Sequence, residues 1–234
     1  MRNTQVYRGD VPDLVLPDHL AAWDVHDYWE RERFDSMAAH LERTDTLWVI
    51  GAEHGYMAAL WARLVGETVL VEPSPEFWPN IRMTWEHNGL RMPLGTVQGL
   101  VSDVPSGDVT VQYRYWPSSA DSDTECPARP YRYAHNPSDL AEVGACTLDR
   151  LAEYFEPPAA ISMDIEGAEV LALAGGTELF ANNDVQLWVS IHPDLIDRDY
   201  SPLTAGHVHE MMRAAGYTGE HLATDHEEHW RFSR

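Results

Sequence analysis

Short apolar runs alternate with helical periodicity along most of this chain, and that alternation narrows the folds open to it. TLWVI (46–50), TVLVE (68–72), TVQGLVSD (96–103), PAAISMD (158–164) and VQLWVSIHP (185–193) read as buried strands. Between or after them, MAALWARLVG (57–66), SPEFWPNIRMTWEHNG (74–89), CTLDRLAEYF (146–155), GAEVLALAGGTELF (167–180) and AGHVHEMMRAAG (205–216) carry apolar residues at helical spacing. Near-continuous apolar strands separated by helices predict a mostly parallel sheet covered on both faces. Ser74 is the expected cap of its helix, and Pro79 is expected to delay or bend its start. YTGEHL (217–222) and EEHWRFS (227–233) read as a closing antiparallel hairpin. Residues 1–45 form an N-terminal segment whose stretch 17–43 has helical periodicity, and 46–234 form the main domain.

From about 104 to 146 the pattern lapses. VTVQYRYWP alternates as an exposed strand, and the following residues are rich in Pro, Ser and Asp without helical period. So long a loop in a compact domain is more often functional than idle. The insertion is expected to form the wall or lid on the acceptor side. Tyr113, Trp116, Tyr131 and Tyr133 offer it faces for stacking on a sugar or ring, or else a local core. Trp23, Trp29, Trp48, Trp61, Trp78 and Trp85 are expected to pack in the core and between helices.

Charge removes several functions. The net charge is −22, from 38 acidic and 16 basic residues, a field that repels nucleic acid and anionic membranes. Every basic residue is Arg, so lysine Schiff-base chemistry and a phosphate-binding loop lysine are excluded. Two cysteines, Cys126 and Cys146, lack metal-ligand spacing and fit a reducing compartment. No apolar run reaches membrane-spanning length, and a cytoplasmic protein is expected.

Ligands of an open parallel sheet bind at the carboxyl ends of its strands. Four such ends carry small or polar residues here. GAEHG puts Gly51, Ala52, Glu53 and Gly55 at the first, where the glycines admit a ligand to the backbone. Glu72, followed by Pro73, ends the second and can accept both hydroxyls of a ribose. Ser102 and Asp103 end the third, placed to accept from an adenine amino group. Asp164 ends the fourth, with Glu166 and Glu169 close behind; helix capping alone would account for part of that cluster. His192 ends the fifth strand, where an acceptor would lie. His207, His209, His226 and His229 receive no role, since HEEH lacks the spacing of a zinc-helix motif.

The string from 47 to 193 resembles the FkbM family of S-adenosylmethionine-dependent O-methyltransferases. The resemblance rests on IGAEHGYMAALWARLVGETVLVEPSPEFWPNIRMTWEHNGL, LVSDVPSG, TLDRL and, most specifically, MDIEGAEVLALAGGTELF. It implies a class I, Rossmann-like sheet of seven mostly parallel strands with helices on both faces and a terminal antiparallel hairpin. It also implies S-adenosyl-L-methionine as cofactor, held by Gly51, Ala52, Glu53, Gly55, Glu72, Pro73, Ser102, Asp103 and Asp164. The chain departs from the family at Val49, where relatives carry an acid, at Glu53, where Asn is common, and at Ser162, where Lys is frequent. Glu53 is positioned to replace the lost contact to the cofactor's amino group.

The expected reaction is methyl transfer to a hydroxyl of a small molecule or glycan, with His192, Asp164 and Glu166 as catalytic residues. The hydroxyl proton must leave, either to His192 or under the influence of a divalent cation such as magnesium held by Asp164. The direct base is preferred, because the sequence shows no dense ligand cluster. A nicotinamide-dependent oxidoreductase and a non-catalytic nucleoside-binding or interaction module are the rival functions.

Overall fold

The computed structural model describes residues 2–4, 14–16, 30–121 and 143–234. In chain order, β1 (Arg2–Thr4) and β2 (Leu14–Leu16) pair antiparallel. Helix α1 (Arg31–His40) leads into β3 (Thr46–Ile50), α2 (Tyr56–Trp61), β4 (Glu67–Val71) and α3 (Trp78–His87). Strands β5 (Gly95–Gln98), β6 (Leu100–Val101), β7 (Thr110–Tyr113) and β8 (Ala145–Cys146) follow. Then come α4 (Leu148–Tyr154), β9 (Ala160–Met163), α5 (Glu169–Ala174), α6 (Thr177–Asn182) and β10 (Gln186–Ile191). The chain closes with α7 (Pro193–Asp199), α8 (Ala205–Ala214), β11 (Thr218–Thr224) and β12 (Glu228–Ser233).

The main sheet has the order β11-β12-β10-β9-β3-β4-β5-β7. The five strands β5, β4, β3, β9 and β10 run parallel, and β12 enters antiparallel between β10 and β11. Among the described residues, eight strands, not seven, make this sheet. The additional one is β7, whose alternating VTVQY pattern lets it pair antiparallel with β5 at the edge.

Alternation along the strands sorts the core into two layers. Trp48 and Ile50 of β3 face the layer that contains Leu148, Val170, Leu173, Phe180, Val208 and Met212. Leu47 and Val49 face the opposite layer, with Phe34, Met37, Leu60, Trp61, Trp78, Ile81 and Trp85. Each fully buried Val, Leu or Ile side chain stabilises the fold by about 1.5–3 kcal/mol. Of the tryptophans expected in the core, Trp48, Trp61, Trp78 and Trp85 are buried there, while Trp23 and Trp29 lie outside the described residues.

Several local expectations need correction. Ser74 does not cap α3; its backbone N–H donates to Glu72, and the helix starts at Trp78 with Pro79 in its first turn, where no N–H is required. Residues 167–180 make two helices, because Gly175 and Gly176 interrupt them. A side chain at Gly175 would collide with the Ser102 carbonyl. The third strand breaks at Gly99, and β6 leaves the main sheet to pair with β8. Trp116 packs edge-on against Trp85 and joins the core, whereas Tyr113 and Tyr115 are exposed. Tyr131, Tyr133 and Cys126 lie outside the described residues; Cys146 is buried and free. No helix among the described residues is long and apolar enough to cross a membrane.

Candidate active site

A cleft opens at the carboxyl ends of β3, β4, β9 and β10, where the topology reverses direction between β3 and β9. Gly51 makes the first turn with φ +88°. A Cβ there would overlap the Asp164 carbonyl oxygen, so only glycine lets the ends of β3 and β9 close together. Gly51 and Ala52 donate their N–H groups to the Val71 carbonyl, which fixes the turn against β4. Gly55, at φ +84°, leads directly into α2 and packs on Ile81 of α3.

Glu72 is almost fully buried beside this turn. One carboxylate oxygen accepts from the backbone N–H of Glu53 and the other from that of Ser74, both at 2.8 Å. Burial pushes its pKa up to about 7, against the pull of those two hydrogen bonds. Each oxygen keeps a further lone pair, and Glu72 lines the cleft together with Pro73 and Ser74.

Left-handed backbone concentrates at this cleft. Among the described residues, four non-glycine positions have positive φ, and three of them, Glu30, Glu53 and Glu166, line it. Each such residue costs on the order of 1 kcal/mol or more, a strain that proteins retain mainly at functional sites. Glu53 reaches solvent at the cleft mouth. Crowding by neighbouring protein atoms, then the charges of Glu72, Glu166, Glu30 and Glu227, raise its pKa.

The opposite wall is ionic. His192, 5% exposed at the end of β10, has Nδ1 3.0 Å from Glu169 and Nε2 2.9 Å from Glu227. Its Nε2 also lies 3.7 Å from Asp164 and 3.6 Å from Glu166. Burial opposes its charge, but the hydrogen bonds to Glu169 and Glu227 push its pKa up to about 12. His192 is therefore an imidazolium at neutral pH, unlike the neutral base expected from the sequence. Glu227 answers it: burial works against ionisation, yet the hydrogen bond and charge of His192 hold Glu227 down to about 2.

Asp164 is 28% exposed and faces the same group. Burial and the nearby Glu227 raise its pKa well above the ordinary carboxylate range, while His192 and Arg33 pull it down. Glu169 opens α5 and accepts from the N–H groups of Ile165 and Gly167, clamping the turn that carries Glu166. Glu166 thus precedes the helix rather than starting it.

Arg33 was absent from the residues expected here. It lies 1% exposed on α1, donates to Glu30 at 2.8 Å, to Ser190 at 2.6 Å and to Ser162 at 2.7 Å, and sits 3.8 Å from Asp164. Its guanidinium covers the Trp61 ring at 4.7 Å. An N-terminal helix thereby plants a cation next to the Ser162 position. Only the helical periodicity of 17–43 was visible in sequence, and nothing there marked Arg33 as the inward-facing charge.

Ser102 and Asp103 are not brought into the cleft. They hydrogen-bond to each other at 3.0 Å on the far side of the Gly99 break, and Gly99, Leu100 and Val101 line the cleft instead. The described part of the insertion is not among the residues that line it, and the rest of the expected lid, 122–142, lies outside the described residues. His54, buried with Asn80 at 3.0 Å and its ring on Phe77, lines the cleft on the side of the first turn.

A family model described as the methyltransferase FkbM domain matches residues 50–218, well over half of the chain. The chain belongs to that family. Among solved structures, the FkbM methyltransferase of Methylobacillus flagellatus aligns with TM-score 0.52 at 14% identity, covering 83% of this chain and 44% of that one. The chain thus spans less than half the length of that relative. An rRNA methylase from Streptococcus thermophilus aligns at TM-score 0.49 and 10% identity, over 86% and 93% of the two chains. A magnesium protoporphyrin IX methyltransferase from Synechocystis, solved with bound SAM, gives TM-score 0.48 and 11% identity, over 87% and 78%. No curated protein matches the chain. The FkbM domain in this chain has the class I methyltransferase fold, with its cleft at the strand ends where that architecture binds ligands.

Proposed function

We propose that this FkbM domain transfers a methyl group from S-adenosyl-L-methionine to a hydroxyl of a small molecule or glycan. The observation that carries the proposal is the buried Glu72 carboxylate, held by two backbone donors beside the Gly51 turn and lining the cleft. That arrangement suits a ribose diol, and the glycine turn leaves room for backbone contact with a nucleoside. Glu53, at the mouth, is the carboxylate available for the amino group of the cofactor. When bound, the cofactor supplies a methyl group already activated by its sulfonium charge.

The chain must then orient the acceptor and accept its proton. Asp164 is the proposed proton acceptor, since its carboxylate is partly open to the cleft at the end of β9 and lies 3.7 Å from His192 and 3.8 Å from Arg33. With the cofactor held by Glu72 and the Gly51 turn, Asp164 would take the proton released by the acceptor hydroxyl as it is methylated. His192 stays charged, holds Asp164 and Glu166 in place and balances the negative wall. A magnesium ion at Asp164 and Glu166 is the rival arrangement, but His192 already fills the cationic place among these carboxylates. The excess of carboxylates also disfavours phosphorylated acceptors.

Calorimetric titration with S-adenosylhomocysteine and with NAD tests the cofactor. Saturable binding of the first and none of the second is expected; the reverse result would leave the oxidoreductase. Methyl release on hydroxyl acceptors, with and without chelator, then tests the reaction. Activity abolished by chelator and restored by magnesium would replace Asp164 as direct base.

A further inference from the structure

The turn between β11 and β12 gathers a second set of ligating groups, outside the proposed methyl-transfer chemistry. Asp225, Glu227 and His229 alternate along three sequence positions that the chain folds back on one another, and one ligand atom from each lies within 4.8 Å of the others. His229 Nε2 lies 3.5 Å from Asp225 Oδ2 and 3.8 Å from Glu227 Oε1. An acidic turn alone means little, because such turns are common on surfaces.

The imidazole makes the difference. His229 is 1% exposed, and its Nε2 is buried with no hydrogen-bond partner among the described residues. A buried polar nitrogen left unsatisfied costs about 1–3 kcal/mol, so its retention calls for a ligand. The other ring nitrogen is already oriented: Nδ1 lies 3.1 Å from Ser190 Oγ, which also accepts from Arg33. With Nδ1–H donating to that oxygen, Nε2 presents a lone pair toward the two carboxylates. Metal-bound histidines are held in this way, by an oxygen on the nitrogen away from the metal.

We propose that Asp225, Glu227 and His229 bind a divalent transition-metal ion of the zinc class. Ligand bonds of about 2.0–2.2 Å to a tetrahedral centre place neighbouring ligand atoms about 3.4 Å apart. The two separations from His229, 3.5 and 3.8 Å, need only a small contraction, and the Asp225 and Glu227 oxygens lie within 4.8 Å of each other. An octahedral magnesium would require closer oxygens and gains nothing from an imidazole donor. Three protein ligands leave the fourth position to water. Glu227 divides its two oxygens: Oε2 pairs with His192, and Oε1 faces the hairpin. The ion would lock the hairpin turn against the cleft wall. His226 spans the two carboxylates, with Nδ1 3.0 Å from Asp225 Oδ1 and Nε2 3.5 Å from Glu227 Oε1, and metal binding competes with it for the second of these oxygens.

The test is calorimetric titration of the full chain with zinc and, separately, magnesium, without any activity readout. Zinc is expected to bind at one site per chain, with magnesium weaker by at least about 100-fold. Asp225→Asn, at an exposed turn position, should weaken zinc by about tenfold or more, and His229→Gln should remove it while keeping a group able to bond Ser190. Circular dichroism of each variant confirms the fold. No saturable zinc binding, or unchanged binding in both folded variants, overturns the proposal, the latter by assigning zinc to other histidines. Failure of the methyl-transfer proposal would leave this titration unaffected.

Discussion

The two walls of the cleft solve the same problem by opposite means. On the wall formed by the ends of β3 and β4, Glu72 is buried and its charge is met by backbone N–H groups of Glu53 and Ser74, all within one strand-turn unit or the next. On the wall at the ends of β9 and β10, Asp164, Glu166, Glu169 and Glu227 are met by side-chain cations, His192 from β10 and Arg33 from α1. Backbone donors are fixed by the turn and cost no side-chain entropy. Side-chain ion pairs must each be desolvated and held, and losing one partner exposes the rest. The β3–β4 wall, proposed to hold the nucleoside, should therefore tolerate mutation locally, and the β9–β10 wall, proposed to face the acceptor, should fail as a unit.

Asp164→Asn should break the comparison most sharply. It removes the proposed proton acceptor and is expected to lower turnover by about 10²–10⁴-fold, with S-adenosylhomocysteine affinity kept. Near-normal turnover, with only a small loss of stability, would leave Asp164 as a structural partner of His192 and Arg33 alone. Arg33→Met comes next, since it strands Glu30 and Asp164 without their buried cation. Urea unfolding should show a loss of about 3–5 kcal/mol. A loss below about 1 kcal/mol would mean that His192 alone holds the wall.

Glu72→Ala should act only on the nucleoside side. Weakening of S-adenosylhomocysteine by at least about tenfold, or about 1.4 kcal/mol, is expected in calorimetry. Unchanged affinity in the folded variant would take Glu72 out of the site. The smallest effect is on pH. Glu72 rises from an ordinary value of 4.5 to about 7, so its contribution to stability is present below 4.5 and is lost as pH rises through 7. Binding of ribose donors favours the ionised form. Affinity for S-adenosylhomocysteine should hence strengthen from below pH 7 and level off above it, with the trend absent in Glu72→Gln. His192, at about 12, should contribute no step across that range.

Much of the fold was legible because its signals are local. Apolar strand runs, the glycine turn at 51–55 and the acid at 72 act within a few residues of themselves, and each appears where the periodicity put it. Breaks were less legible: Gly99 and Gly175–Gly176 read as interior positions of a strand and a helix, yet close packing on the Val109 side chain at Gly99, the Ser102 carbonyl at Gly175 and the Phe180 ring at Gly176 made them boundaries. The same break separates Ser102 and Asp103 from β5, and Gly99, Leu100 and Val101 are the residues of this segment that line the cleft.

The sequence by itself determined the parallel sheet, its terminal hairpin and the strand ends that carry Glu72, Asp164 and His192. Side-chain period and turn chemistry are properties of neighbouring residues, so one chain read in order suffices. The tertiary structure alone decided the charge state of His192, the arrival of Arg33 from α1 and the meeting of Glu227 and His229 with the β10 strand. Those depend on groups 23 to 157 positions apart sharing a low-dielectric interior. There a charge is set by what surrounds it in space, and not by what precedes it in the chain.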